Sequence, residues 1–478
     1  MGINENYLRH VLYPSYKNWK ENFLKYFIEE NKAHLIVLKK CGVIDIEKAR
    51  KIKEAILTFE EKTNLPEELP EGFEDLFFLF EEELSKLIGP AIAGYLHTGR
   101  SRNDLDTTVF RMHIRERLLK IMRSIILLLK RIHRKILTTG TELFLLYTHG
   151  QPAQVSNFAH YLSAFAFEIM EDLEQFFAAY NIVNLCPAGS AAITTSGFNL
   201  DREELAKLLG FKRPVENSYR AIVSSHWITY PSSVIRLFLE DIGRFIADIS
   251  HKASNEVGLV DFPDDLVQIS SIMPQKRNPV ILEHIRIFSE MAAGEFVNLT
   301  TLFRNVPFQD VNEVADAPLR IFDSASEYVD SALVLLRTVI DAVEVNAKKC
   351  EELAISSGAT TTELADTFVR EANIDFRTAH KIVSAFVRSG KSFDVLKQSF
   401  ERETGEPFRF SEKEIREILS PEHFVEVRKI YGGPSKESMK KLLREFENSL
   451  EKAQKKCNEL SEKALDYKKS LNEILSTL

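Results

Sequence analysis

A stretch without glycine or proline, running from Gly99 to Gly140, constrains the fold more than any other feature of the sequence. Both residue types interrupt helices, so their absence over so many positions leaves a helix free to continue. Within the stretch, apolar residues recur three or four positions apart, which is the spacing of one helical face. These apolar positions are Phe110, Ile114, Leu118, Met122, Ile125, Leu129, Ile132 and Ile136. The stretch therefore predicts one long helix.

Other stretches of the same kind make long helices the main element of the chain. They run from Ala153 to Cys186 and from Leu319 to Ser357, and shorter ones follow Pro231 and Pro279. A helix of about 30 residues is about 45 Å long, so such helices must cover one another within the chain or between chains. Strand signals are weak. Apolar residues on more than one face of 118–136 favour a bundle shared between subunits, and we therefore expect an all-α oligomer.

The distribution of glycine, proline and charge divides the chain into three predicted helical domains. Residues 1–95 form an N-terminal helical domain, in which the segment 34–61 predicts a helical hairpin that turns at Gly42. Residues 96–353 carry long helices and form a central bundle, the expected core of the oligomer. Residues 354–478 are more charged, are broken by glycine and proline, and form a C-terminal helical domain.

Composition excludes several classes of protein. The chain has 478 residues, and its 70 acidic and 62 basic side chains give a net charge of -8, which does not favour nucleic acid as a partner. The four cysteines are far apart in sequence, so we expect neither a metal site nor a disulfide framework, and no pattern predicts an organic cofactor. Without a signal-peptide pattern or an apolar run long enough to cross a bilayer, we expect a cytoplasmic protein with no membrane partner.

Three polar stretches lie at the ends of the predicted long helices, where functional loops are common. HTGRSRND covers residues 97–104, THGQPAQ covers residues 148–154 and SSIMPQKRNP covers residues 270–279. In the third stretch, Lys276 and Arg277 can be ordinary surface charges or part of a site. The coincidence of three such stretches favours a site.

The first two stretches are each open to two interpretations. Ser101, Asn103 or Asp104 can cap the helix that follows, with the arginines in solvent. The same segment can bind an anion, because Ser101 and Asn103 are neutral donors, Arg102 is a forked cation and helix amides point outward. His149 can be a turn histidine or a catalytic acid.

Taken together, the three stretches resemble the fumarase and aspartase superfamily, whose signature is similar to SSIMPQKRNP. HTGRSRND, AGSAAITTSGFNLDREELAKLLGF at 188–211 and TTELADTFVREANIDFRTAHKIV at 361–383 resemble the argininosuccinate lyase family in particular. The likeness extends from His34 to Ser435. It implies an all-α homotetramer whose central bundle is built from the long helices of four subunits. It also implies active sites where the three stretches meet, each contributed by a different subunit.

The resemblance implies that an amine is eliminated from an N-substituted aspartate to release fumarate, a small-molecule reaction. The proton to be removed lies next to a carboxylate and is weakly acidic, so catalysis needs cations and hydrogen-bond donors at that carboxylate. By resemblance, Ser270 is the base and Lys276 supplies the positive charge that holds its hydroxyl near the alkoxide form. Ser271 orients the catalytic loop near 258–279, which we expect to close as a mobile lid.

Further roles follow from the same resemblance. His149 protonates the leaving nitrogen, directly or through water, and Glu283 is its partner. The positions that match binding of the two substrate carboxylates are Ser101, Arg102, Asn103, Thr148, Gln151 and Asn278.

Several positions depart from the argininosuccinate lyase pattern. Arg220 stands where the family has an aspartate, and Ser225 and His226 replace an Arg-Asp pair. Arg304 and Asn312 fall where the family has a tyrosine and a lysine. An added arginine beside a guanidinium is repulsive, so these departures concern the amine half of the substrate.

Three functions are compatible with these residues. The first is cleavage of argininosuccinate to arginine and fumarate, a step of arginine biosynthesis. The second is the same elimination from another N-succinyl amine, including adenylosuccinate or an amine half whose acidic group binds Arg220 or Arg304. The third is a non-catalytic structural role, as in the lens crystallins of this superfamily, which the presence of Ser270, Lys276 and His149 argues against.

Overall fold

Helices make up most of the chain. The computed structural model describes residues 3–61, 65–139 and 142–478. The helices are α1 (Glu5–Tyr7), α2 (Tyr13–Asn18), α3 (Leu24–Lys40), α4 (Ile46–Glu61), α5 (Leu76–Ile88), α6 (Pro90–Ala93), α7 (Arg102–Thr139), α8 (Phe158–Val183), α9 (Arg202–Leu208), α10 (Ser218–Val223), α11 (His226–Lys252), α12 (Val280–Leu302), α13 (Ala317–Ala342), α14 (Ala347–Ser357), α15 (Thr361–Ala372), α16 (Phe376–Arg388), α17 (Phe393–Thr404), α18 (Glu412–Ile418), α19 (Pro421–Glu426) and α20 (Lys436–Ser476). The predicted all-α fold is confirmed.

Short segments of other kinds connect these helices. The π-helical turns Leu8–Leu12 and Trp19–Phe23 join α1, α2 and α3 into one continuous helical segment. The three short 3-10 helices are Gly94–His97, Asp264–Leu266 and Asn312–Val314. The strands are β1 (Leu143–Thr148), β2 (Gln151–Asn157), β3 (Val260–Asp261), β4 (Gln268–Ile269), β5 (Arg277–Asn278) and β6 (Glu344–Val345), and they pair antiparallel as β1–β2, β3–β6 and β4–β5.

The centre of the molecule is a bundle of long helices. Helix α7 packs against α8 and α13, α11 packs against α8 and α12, and α12 packs against α13. The eight apolar positions predicted for one face of α7 are each at most 2% exposed, so they form part of the core. The spacing of apolar residues therefore identified both the helix and its buried face.

Three sequence-based expectations need correction. The stretch that starts at Ala153 begins with β2, because the chain enters it through a hairpin that pairs β2 with β1. The stretch from Leu319 to Ser357 is broken after α13 by β6, which pairs with β3. Helix α11 starts at His226 and contains Pro231 in its second turn, so proline does not mark its beginning.

The long helices predicted from the sequence do not include α20, the longest helix among the described residues. The signal was available, because the chain after Pro434 contains neither glycine nor proline. Helix α20 packs against α3, α7 and α8, and its buried residues belong to the same large core as the bundle. A separate, smaller core lies among α15, α16, α17 and α18. The predicted domain limits at residues 95 and 353 stay a prediction.

No helix among the described residues is long and apolar enough to cross a membrane. The predicted helical hairpin is present, since α3 and α4 pack against each other across a turn at Gly42, whose φ is 73°. Only glycine adopts such a left-handed conformation without strain.

Asp172 on α8 is the basis of a prediction about stability and pH. Desolvation, then Asp241, raises its pKa to about 7, and its Oδ2 is buried without a donor in the described chain. Because the folded chain binds this proton more tightly than the unfolded chain does, wild-type stability falls as pH rises from about 4 to about 7. Asp172→Asn does not titrate, so we expect its Tm to exceed that of the wild type by about 2 °C at about pH 8 and by less at about pH 5. Thermal unfolding at both pH values tests this, and an equal difference at both would contradict it.

Candidate active site

The second polar stretch forms the tip of a β-hairpin. Thr148 at the end of β1 pairs with Gln151 at the start of β2, and only His149 and Gly150 lie between them. Both have positive φ, 52° and 72°, as a two-residue turn of this hand requires. Glycine accepts this conformation freely, whereas a histidine held there carries strain of about 1 kcal/mol, a feature typical of functional positions. The turn presents His149, Thr148 and Gln151 at the surface.

The third polar stretch forms a second hairpin loop between β4 and β5. Ser270 lies at its base, where its backbone N–H donates to the carbonyl of Lys276 over 3.3 Å. The Ser270 Oγ accepts hydrogen bonds from the backbone N–H groups of Ile272 (3.3 Å) and Met273 (3.0 Å). Two amide donors on one oxygen favour its anionic form. The loop therefore supplies part of the environment that a serine base needs.

Lys276 and Ser271 are exposed on this loop. The Lys276 backbone N–H donates to the Met273 carbonyl over 3.0 Å, which closes the loop. Within the described ranges, the Lys276 ammonium has no acceptor in hydrogen-bond distance, so it is available to a ligand. Asn278 donates through Nδ2 to the Gln268 carbonyl over 3.1 Å, which bridges β5 and β4.

Arg277 holds the second half of the predicted catalytic loop, near 258–279, to the first half of the same loop. Its guanidinium bonds both carboxylate oxygens of Asp261 (3.0 and 2.9 Å), the Phe262 carbonyl (2.8 Å) and Asp264 (2.8 Å). Asp261 lies on β3, which pairs with β6, and Phe262 is buried. The first part of the predicted lid is therefore attached through β3 to β6, and the exposed residues include 263–265 and 268–269 as well as the loop at 271–277. Its mobility stays a prediction.

We expect Arg277→Gln to lower kcat about tenfold with little change in Tm, because the loop would lose its attachment while the core stays intact. The measurement is steady-state fumarate release beside thermal unfolding. Arg244→Gln, which removes an arginine that is exposed on α11, is the matched control and should leave both values unchanged. A kcat of the Arg277→Gln variant equal to that of the control would show that the attachment is dispensable.

The first polar stretch is a tight turn before α7, and buried charges hold it in place. The Asp104 carboxylate accepts hydrogen bonds from the backbone N–H groups of Ser101 (2.8 Å) and Gly189 (2.9 Å). Arg100 forms an ion pair of 2.7 Å with Glu30, and both side chains are at most 2% exposed. Burial raises the pKa of Asp104, and it raises the pKa of Glu30 to about 7 although Arg100 opposes the shift. Ser101 Oγ also accepts from the backbone N–H of Asn103, a contact that fits the cap interpretation, while the anion site stays a prediction.

The donors of this turn contact carboxylates. Arg102 Nη1 lies 2.5 Å from Asp75 Oδ2, and its guanidinium lies 4.9 Å from the centre of the Phe78 ring. Asn103 Nδ2 donates to Asp310 Oδ2 over 2.6 Å. Sequence reasoning missed Asp310, because a contact between positions 103 and 310 has no local signal. Arg102 and Asn103 therefore each contact a carboxylate of the protein itself.

The hydrogen bonds and ion pairs between described residues do not link the three stretches to one another. No hydrogen bond or ion pair between described residues joins His149, Ser270 and Ser101 to one another, and Glu283 lies exposed in the first turn of α12 without contact to His149. The exposed position of the second and third stretches fits completion of each site by other copies of the chain, while the first stretch is half-buried.

Among the positions that depart from the family pattern, Arg220 has a local partner for its charge. Arg220 pairs with Glu216 at 2.7 Å, and the same carboxylate also binds Arg213 at 2.6 Å. Tyr219, beside Arg220, donates its hydroxyl to the Phe308 carbonyl over 2.6 Å. Helix α10 is thereby attached to the loop that carries Asp310. The described contacts give no partner for Arg304 or Asn312, which are exposed.

Comparisons with known proteins assign the chain to a family. A lyase family model matches residues 29–294, and an argininosuccinate lyase C-terminal model matches residues 358–426. The chain is 36% identical to "Argininosuccinate lyase 2" of Agrobacterium fabrum, with 96% of this chain and 94% of the relative covered. It is 31% identical to argininosuccinate lyase of Methanocaldococcus jannaschii, with 92% and 91% covered.

Solved structures show the same architecture. An EDDS lyase variant with bound fumarate superposes with a TM-score of 0.87 at 25% identity, covering 96% of this chain and 92% of that chain. A class II fumarase of Schistosoma mansoni shares the fold at a TM-score of 0.65 and 17% identity, covering 84% and 90%. From the matched models and the relatives that align along nearly its whole length, the chain belongs to the argininosuccinate lyase family of carbon–nitrogen lyases.

Proposed function

We propose that the chain cleaves argininosuccinate to arginine and fumarate, as a step of arginine biosynthesis. The observation that carries the elimination chemistry is the Ser270 hydroxyl, whose oxygen accepts two backbone N–H bonds inside a surface hairpin loop. A serine held in this way can act as a base that a free serine cannot. The names of the full-length relatives support the choice of substrate.

The reaction proceeds by removal of a proton and loss of the neighbouring nitrogen. Ser270 takes the proton from the carbon next to a carboxylate, and the electron pair of the broken C–H bond forms the new C=C bond. The C–N bond breaks, and the leaving nitrogen takes a proton from His149, whose partner is Glu283. The charge that develops on the carboxylate is stabilised by Lys276, whose side chain is exposed and whose carbonyl accepts the Ser270 N–H. Asn278 and Ser271 complete this side of the site.

The substrate carboxylates bind at the first and second stretches. Ser101, Arg102 and Asn103 lie on a rigid turn, and two of them already contact carboxylates of the protein. A substrate carboxylate can replace these groups at the same donors. Thr148 and Gln151 flank His149 on the hairpin, which positions them beside the proton donor.

The charge near Asn103 suits a cationic amine half. Asp75 contacts Arg102 and Asp310 contacts Asn103, whereas desolvation followed by the charge of Asp75 raises the pKa of Asp106 well above its usual range and favours its neutral form. A guanidinium would neutralise the charges of Asp75 and Asp310 once a substrate carboxylate has replaced them at these donors. An unpaired Arg220 would repel a guanidinium, but Arg220 forms an ion pair with Glu216.

The working form is a homotetramer in the cytoplasm. Apolar side chains are exposed on the long helices and would be covered by other subunits; they include Leu127, Leu237, Met291, Val297 and Val334. In this assembly each active site takes one polar stretch from each of three subunits. Four free cysteines, three of them buried, suit a reducing compartment.

The test is fumarate release, followed by ultraviolet absorbance, from purified protein given argininosuccinate, adenylosuccinate or simple N-alkyl aspartates in parallel. We expect release from argininosuccinate to be fastest. Release from another aspartate derivative with none from argininosuccinate would overturn the choice of amine and favour the second candidate, a different N-succinyl amine, for which the exposed Arg304 is the motivating residue. No release from any of them would favour the structural role.

A further inference from the structure

A small cavity at the junction of α7, α8, α10 and α11 is lined by nitrogen donors. The centre of a water molecule can occupy about 10 Å³ of it, which leaves room for one particle somewhat larger than water. Its polar lining comes from Arg111, Arg220, Ser224, His226 and Trp227. No carboxylate belongs to the lining. The mechanism proposed above gives none of these side chains a step, although Arg220 and His226 are among the positions that depart from the family pattern.

Arg111 is the central group. It is 3% exposed, and it donates through Nη1 to the carbonyls of Ile182 (3.2 Å) and Leu185 (3.4 Å). Its Nε is buried and has no acceptor within the described ranges. Burial, opposed by Cys186 and reinforced by Arg220, lowers the pKa of Arg111 to about 9, so the guanidinium is still charged at neutral pH. The Cys186 thiol, whose pKa burial raises to about 12, provides no counter-charge there.

Trp227 and Ser224 supply two further hydrogen-bond donors to the lining of the cavity. The indole N–H of Trp227, a fully buried residue, also has no acceptor among the residues described. Ser224 accepts the His226 backbone N–H over 3.3 Å, which leaves the hydroxyl proton of Ser224 available. Ser224, His226 and Trp227 surround the N-terminus of α11, a helix of 27 residues whose amides add positive potential.

The local charges do not balance. Arg220 and Arg213 share the single carboxylate of Glu216, and Arg111 has no described acid partner. A buried arginine without an anion is costly, and a buried donor left unbonded loses the hydrogen bonds that it makes in water. A water molecule would satisfy the donors but not the charge. A monovalent anion satisfies both.

We propose that this cavity binds one small monovalent anion of the halide class, with chloride as the physiological ligand. Tetrahedral oxyanions are too large for the space. The anion bridges α7 and the N-terminus of α11 and neutralises Arg111. It also fixes α10, whose Tyr219 holds the loop that carries Asp310.

The experiment uses the full chain exchanged into chloride-free buffer. Crystals soaked in sodium bromide are expected to show an anomalous peak within hydrogen-bond distance of Arg111. In solution, sodium chloride should raise Tm by about 2 °C over sodium gluconate at equal ionic strength. Gluconate is too large to enter.

Variants assign the effect to the cavity. Arg220→Gln removes a half-exposed lining arginine and should raise the half-saturating chloride concentration about tenfold. Trp227→Phe, which removes only the indole donor, should weaken the response in the same direction. The matched control is Arg236→Gln, since Arg236 also pairs with a glutamate four residues away but does not line the cavity.

Three results would overturn the proposal. One is the absence of a bromide peak in the wild-type cavity, which would leave water as its occupant. Another is an equal response of Tm to chloride and gluconate. The third is the same chloride response in Arg220→Gln as in Arg236→Gln. None of these readouts depends on which amine the enzyme releases.

Discussion

Replacement of Ser270 by alanine is expected to lower kcat by about 10³-fold or more, because the variant lacks the oxygen that receives the substrate proton. The two amide donors from Ile272 and Met273 would remain, but they would have no anion to stabilise. Ser270 lies on a surface loop outside the hydrophobic core, so Tm should stay within about 1 °C of the wild type. Fumarate release and thermal unfolding of the same preparation give both quantities.

Ser271→Ala is the matched control for this prediction. The two serines are adjacent, but Ser271 is exposed and its hydroxyl has no hydrogen bond among the described contacts, so we expect a much smaller decrease in kcat. Near-normal turnover of Ser270→Ala would remove Ser270 from the role of base. Equal losses for both serines would indicate that the loop conformation, and not one oxygen, limits the reaction.

Mixing of two inactive variants is expected to restore activity. If His149 and Ser270 of one active site come from different subunits, random reassembly of equal amounts of His149→Ala and Ser270→Ala chains leaves both residues intact in about a quarter of the sites. The mixture should therefore regain about a quarter of the wild-type rate, although each variant alone is inactive. The measurement is fumarate release after dissociation and reassembly of the mixed chains.

The control is a mixture of Ser270→Ala chains with Ser270→Ala, His149→Ala double-variant chains, which contains no intact Ser270 and should stay inactive. Size-exclusion chromatography establishes that both mixtures have reassembled. An inactive mixture of the two single variants, once reassembled, would mean that one chain supplies both residues. The separation of His149 from Ser270 within the chain would then need a rearrangement on assembly.

The features that could be predicted from the sequence are those with a local period or a local motif. The buried face of α7 repeats every three or four residues, so eight of its core positions could be named in advance. The turn at His149 has a local signal too, since His-Gly between Thr148 and Gln151 occupies a two-residue hairpin. The helix predicted from Ala153 onward is wrong where it covers β2.

The contacts that shape the candidate site have no such signal. Asn103 meets Asp310 across more than two hundred residues, and Arg277 reaches back to Asp261 across a segment without periodicity. Such pairs depend on how the bundle brings distant loops together. The roles of Ser101, Ser270 and His149 came from resemblance, and their convergence in a shared site stays a prediction because it depends on other copies of the chain.

The contacts of helix α20 with the first helices affect how the chain can fold while it is being synthesised. Tyr467 donates to Glu29 over 2.7 Å, Lys468 pairs with the same carboxylate at 3.4 Å, and Arg50 donates to the Leu478 carbonyl over 2.8 Å. The first helices therefore have binding partners that leave the ribosome more than four hundred residues later. Until α20 has been made, α3 keeps part of its apolar face exposed, and loop closure over that distance slows the last step. Chains stalled late in translation should be the form of this protein that chaperones recognise.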